Sequence, residues 1–159
     1  MSEPGAGQQL EQLELALNEI TPEGARSVAL ALLGKPKLWR VNLRENELED
    51  KGAVIIGKAV ALVPSLRVLD ASGNQLKRVG AVALAKAAAS RPSLELLALD
   101  ENMVSEAGLD EVRDVMEGAG KSGALGPLDE NMEEDDEELE EDEDGGDDEL
   151  AAALAKAAI

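Results

Sequence analysis

Between residues 10 and 121 the hydrophobic and polar positions follow one pattern four times over. Leu10, Leu38, Leu66 and Leu94 each open a copy, Asn18, Asn46, Asn74 and Asn102 close its first half, and Gly24, Gly52, Gly80 and Gly108 open its second, every step being 28 residues. In the first half the apolar residues alternate, as in Leu13, Leu15 and Leu17 or Val41 and Leu43, which is the period of a strand and turns these side chains inward. An apolar residue follows each Asn (Ile20, Leu48, Leu76, Val104), then a polar turn, then the Gly, and from there the spacing becomes helical. Ala53, Ile56, Ala59 and Val60 fall at offsets of three and four, as do Ala81, Leu84, Ala87 and Ala88, each set forming the buried stripe of an amphipathic helix. Thr21-Pro22-Glu23 and Ser105-Glu106 read as helix starts. Pro36, Pro64 and Pro92 are expected to end three helices just before the next Leu.

A strand, loop and helix in 28 residues, with LxxLxL followed by xxN, is the pattern of a leucine-rich repeat. The fold class expected is therefore an α/β solenoid of the ribonuclease-inhibitor-like type, with repeats at 10–37, 38–65, 66–93 and 94–121. A parallel sheet would line its concave side and helices its convex side. Residues between the inward leucines then align as columns on the concave face: Gln12, Arg40, Val68, Leu96; Glu14, Asn42, Asp70, Ala98; Ala16, Arg44, Ser72, Asp100. No fifth repeat is expected to follow. The helix expected over Leu109 to Met116 runs into a flexible stop at 118–123, and residues 122–128 are expected to cap that end, with Leu125 and Leu128 folding back. The first repeat has a full set of inward leucines and only the polar, unstructured 1–9 before it. Upstream repeats or a partner are expected over that edge, because solenoids need polar caps.

Composition narrows the function classes. The 159 residues are 44% apolar with Trp39 the one aromatic, which suits thin repeated layers better than a globule. The absence of Cys and His rules out disulfides, thiolate zinc sites and Cys or His catalysis, and suggests an intracellular chain. No signal peptide and no apolar run of roughly 18 residues is present. The net charge of −19 is uneven: residues 1–128 hold 18 acids and 14 bases, whereas 129–149 hold 16 acids and no base. Such a balance opposes binding to nucleic acid or anionic membrane and favours a basic protein partner. The acidic run at 129–149 is expected to be disordered. Residues 150–159 could form a short helix, marginal if isolated.

The Asn column is expected to satisfy backbone groups where the chain leaves each strand. Trp39, Arg40, Asn42, Arg44, Glu45, Asp70 and Asp100 form the candidate protein-binding patch, since polar residues concentrate in the middle of the open face and an exposed Trp is a frequent interface anchor. No catalytic, cofactor-binding or metal-binding residue is assigned. Lys121-Ser122 lacks the spacing and strand-to-helix setting of a phosphate loop, and the acidic run lacks the ligand spacing of a calcium loop.

Ser105 to Met116, reading SEAGLDEVRDVM, then Leu125 to Asn131, reading LGPLDEN, and then the acidic run resemble the C-terminal repeats and tail of RanGAP, the activator of the nuclear-transport GTPase Ran, in its plant-type form. The resemblance implies a Ran-directed regulator, with Ran or its complexes as partner and a location in the cytoplasm or at the nuclear envelope or pore. That family is understood to work without an arginine finger, through an Asn in early repeats that have no counterpart here, so no activating residue is carried over and Arg40 and Arg44 are not promoted to a finger. A general interaction scaffold and an acidic histone-binding protein are the alternatives, the latter expected to bind histones in a salt-sensitive manner.

Overall fold

The computed structural model describes residues 9–132 and 148–157. Four short strands, β1 (Gln12–Glu14), β2 (Arg40–Asn42), β3 (Val68–Asp70) and β4 (Leu96–Ala98), alternate with four helices, α1 (Pro22–Leu32), α2 (Glu49–Val60), α3 (Arg78–Ala89) and α4 (Glu106–Gly118). The strands form one parallel sheet in chain order. Its register places Gln12 beside Arg40, Arg40 beside Val68 and Val68 beside Leu96, so the sequence repeat and the sheet register are the same 28-residue step. The fold is a leucine-rich-repeat solenoid.

The second and third layers repeat the same buried set. Leu38, Val41, Leu43 and Leu48 are fully enclosed, as are Leu66, Leu69, Ala71 and Leu76 one step on. The helical stripes are buried as their spacing predicts, with alanines and glycines where neighbouring helices meet. Gly80 shows why: a Cβ there would lie 2.5 Å from Asp50 Oδ1 and 2.9 Å from the Asp50 Cα. That carboxylate oxygen accepts hydrogen bonds from the amides of Lys77 (2.8 Å) and Gly80 (3.0 Å), so a residue of α2 satisfies the free amides that open α3. Ser105 caps α4 from its own chain position by accepting from Gly108 N at 3.1 Å. Thr21 precedes α1 and Pro22 is its first residue, but the threonine side chain makes no capping bond.

Two local expectations are corrected. Leu17 does not point inward: it is 72% exposed. The cause is a left-handed residue that recurs once per repeat, at Leu17, Glu45, Gly73 and Glu101 (φ 62°, 57°, 69° and 57°), which breaks strand alternation immediately before the Asn. The prolines, too, do not end the helices. The helices stop at Leu32, Val60 and Ala89, and Pro36, Pro64 and Pro92 lie further on, in the turns into the next strand.

The C-terminal end is built as the first half of another repeat. After a short 3₁₀ turn at Ser122–Ala124, Leu125 bridges Leu97 in parallel and Gly126 N donates to Leu97 O at 3.0 Å. Leu128 is buried, and Met132 N donates to Asn102 O at 2.9 Å. The N-terminal end is less covered: Leu10, Leu13, Leu15 and Ile20 are half-buried where their counterparts are enclosed. A fifth helix, α5 (Asp148–Ala157), packs against α1, with Leu150 joining the core and Leu154 partly buried against it. The segment 1–8 and the greater part of the acidic run, 133–147, lie outside the described residues. No helix among the described residues is long and apolar enough to cross a membrane.

Candidate protein-binding face

The face of the sheet away from the helices is bounded below by the residues that enter each strand and above by the left-handed turns that leave it. Behind the upper edge runs a ladder of asparagine side chains. Asn46 Oδ1 accepts from the amides of Asn18 (2.9 Å) and Ile20 (3.0 Å), while its Nδ2 donates to Leu15 O and Leu43 O, both at 2.9 Å. Asn74 donates to Leu43 O and Ala71 O, and Asn102 accepts from the amides of Asn74 (2.7 Å) and Leu76 (3.1 Å). Each of these three side chains stitches its own turn to the preceding one and is buried. Asn18 sits at the start of the column without that geometry: it is exposed, and its Nδ2 bonds only its local Ala16 O, at 2.9 Å.

The ladder has a further rung that strict 28-residue counting misses. Asn131 Oδ1 accepts from Val104 N at 3.3 Å, and its Nδ2 donates to Leu99 O and Leu128 O. The signal was in the chain: Leu99-Asp100-Glu101-Asn102-Met103 recurs unchanged as Leu128-Asp129-Glu130-Asn131-Met132, one residue out of step at 29.

In front of the ladder, the charged residues of the candidate patch engage partners that lie mostly outside it. Arg40 Nε lies 2.5 Å from Glu14 Oε1, and Asn42 Nδ2 donates to Glu14 Oε2 at 2.9 Å. These bonds, the one from Arg40 foremost, hold the Glu14 carboxyl below the usual carboxylate range. Arg44 pairs with Glu101, two repeats away, passing the position held in the third repeat by Ser72 and Gly73. Glu101 raises the Arg44 guanidinium above its ordinary value, and Glu45 lies 3.9 Å from it on the other side. Asp70 Oδ1 accepts from Ser72 N (3.0 Å), bracing its own turn, and Asp100 Oδ1 from Glu130 N (2.8 Å), bracing the turn that follows it in the stack.

Trp39 stands apart, at the entrance to β2. The Arg67 guanidinium sits 5.1 Å from its ring centroid, a cation–π distance, and Arg67 in turn grips Glu95 through two bonds of 2.8 and 3.2 Å. That pairing raises the Arg67 value and lowers that of Glu95. The structure therefore separates the candidate residues into an upper group (Arg44, Glu45, Asp70, Asp100), a middle group (Arg40, Asn42, with Glu14) and a lower one at Trp39.

Two contributors were not singled out from sequence. Along β3 and β4 the column beside Arg40 turns apolar, with Val68 half-buried and Leu96 38% exposed, and Ala98 next to them. Leu17 lies at the upper lip beside Arg44, its amide donating to Arg44 O at 3.0 Å. An alternation count assigns Leu17 to the core and treats Leu96 as one more strand residue, so neither draws notice until exposure is known.

A family model described as Leucine Rich repeat matches residues 8–29 and 64–85, which span β1 into α1 and β3 into α3. None of the curated proteins matches the chain.

Proposed function

We propose that this leucine-rich-repeat chain binds a protein through the open face of its sheet, and that the partner is a Ran-type GTPase or one of its complexes. The observation that carries the first statement is the apolar strip of Val68, Leu96 and Ala98 on the face that also holds the Arg40–Glu14 and Arg44–Glu101 ion pairs. An apolar anchor inside a polar rim is the usual anatomy of a protein interface. Charges held in place by their neighbours lose little freedom on binding, which lowers the entropic cost of docking. The face offers no nucleophile with a base, so its work is recognition.

The choice of partner rests on the resemblance of 105–116 and the acidic run to RanGAP. The stretch 125–131 carries less of that weight, because in this chain it closes the solenoid and duplicates the turn before it. A location in the cytoplasm or at the nuclear envelope belongs to the same proposal. No arginine finger is assigned, since Arg40 and Arg44 are committed to Glu14 and Glu101. The expected behaviour is binding to Ran without acceleration of hydrolysis.

Calorimetric titration of Ran into the chain, with a single-turnover GTP hydrolysis assay alongside, tests both halves. Leu96→Glu is expected to weaken binding by about tenfold or more, as loss of a central apolar contact does. If Ran does not bind, the partner assignment fails. If Ran binds and Leu96→Glu leaves the affinity unchanged, the assignment of the face fails.

A further inference from the structure

We propose that the outer edge of the first repeat is a helix-docking surface and that α5 is its displaceable resident, helical only while docked. Three observations converge on it. The leucines of the first layer remain half-buried although α5 is present, so the edge is incompletely covered. Leu150 is 6% exposed and part of the core, and Leu154, one turn later, is partly buried against it. Spacing of four puts both on one face of α5, and the remaining positions between them are alanines. The helix has ten residues, a length at which an isolated helix is marginal in water, so its order comes from α1.

Reach permits the docking. Residues 133–147 separate the last rung at Asn131–Met132 from α5. Fifteen residues can span up to roughly 50 Å, whereas four strands set about 5 Å apart place the two edges only about 15–20 Å from one another along the sheet. A tether of this length keeps α5 at high effective concentration, which lets a small contact fill the site. The contact is small, with Leu150 buried and Leu154 only partly so, and an equilibrium with the undocked state follows. The surface accordingly fits an amphipathic helix with apolar residues four apart and small residues between them.

Hydrogen–deuterium exchange on the full chain tests this. Replacing Leu150 and Leu154 together by Asp is expected to speed exchange in residues 12–32 by about tenfold or more while residues 66–116 keep their protection, the pattern of a local opening. Leu150→Met with Leu154→Met should behave as the native chain. A peptide of residues 148–157 should show no helix by circular dichroism when alone, and at about millimolar concentration, the range of a short tether, should restore protection of 12–32 in the Asp variant. Unchanged exchange in 12–32, a peptide helical on its own, or a peptide that fails to restore protection would each overturn the proposal.

Discussion

At the C-terminal end of the solenoid, the residues that follow the last full repeat continue the pattern: Leu125 extends the sheet, Leu128 fills the leucine slot and Asn131 takes the next rung. At the N-terminal end the first layer has its leucines half-buried and its Asn18 exposed, and the helix set against α1 comes from the far end of the chain. The contrast follows from the direction of the ladder. Each Asn side chain reaches back to satisfy the turn before it, so a following half-repeat is enough to close one end. Among the described residues Asn18 reaches no preceding turn, and its Nδ2 donates to Ala16 O in its own turn instead.

That comparison can be broken most sharply at the asparagines. Asn102→Ala would leave the amides of Asn74 and Leu76 without partners in a buried site and would take one hydrogen bond each from the carbonyls of Ala71 and Leu99, which keep those from Asn74 and Asn131. A loss of about 3 kcal/mol is expected in urea titration, against about 0.5 kcal/mol or less for Asn18→Ala. Equal effects at the two positions would remove the asymmetry between the ends.

Leucines give the next measure. Leu128→Ala is expected to destabilise by about 2 kcal/mol because it empties an enclosed slot, whereas Leu10→Ala should cost about 1 kcal/mol from a half-open one. If Leu10→Ala proves the worse, the N-terminal layer is better packed than its exposure indicates.

Glycines sharpen the same point with a smaller signal. Gly80→Ala forces a methyl onto the Asp50 backbone and is expected to cost about 1–2 kcal/mol. At Gly24 the nearest atom is the Ile20 Cγ2, 3.2 Å away at the end of a side chain in the loose first layer, so Gly24→Ala should stay within about 0.5 kcal/mol. Thermal melting of both variants distinguishes the tight interior from the edge.

The smallest effect lies in the pairing of Glu14 with Arg40 across the first two repeats. The Glu14 value is lowered in the folded chain, so its contribution to stability is present above the ordinary Glu value of about 4.3 and is lost as pH falls through the folded value. Solvent screens this half-exposed pair, so the change in stability is slight and the direct readout is the carboxyl resonance by NMR. Arg40→Leu should move the Glu14 titration upward, toward the ordinary value. A titration that does not move would show that the pair is not formed in solution.

Much of this is legible in the sequence. The columns of Leu, Asn and Gly dictate the layers, because one side chain per slot at a constant step admits a single stacking register. The helical stripes of α2 and α3 follow from their alanines and isoleucines, and Ser105 announces the cap of α4. Leu17 was misread because strand alternation was carried past a left-handed turn that only the backbone reveals. The fifth rung was overlooked because an extra residue between Asn102 and Asn131 defeats a fixed period while hydrogen bonding tolerates it. The candidate patch was visible as residue types, yet the partners of Arg40, Arg44 and Arg67 lie 26 to 57 positions away, and nothing local names them.

The sequence by itself thus determined the repeat, its register and the stripes that the inner layers bury, since these depend on periodicity, which is a property of the chain. The tertiary structure alone decided which charges neutralise one another on the open face, which leucines stay in water, and that α5 belongs to α1. Those outcomes depend on distances between residues far apart in the chain, set by how the layers stack and where they run out of neighbours.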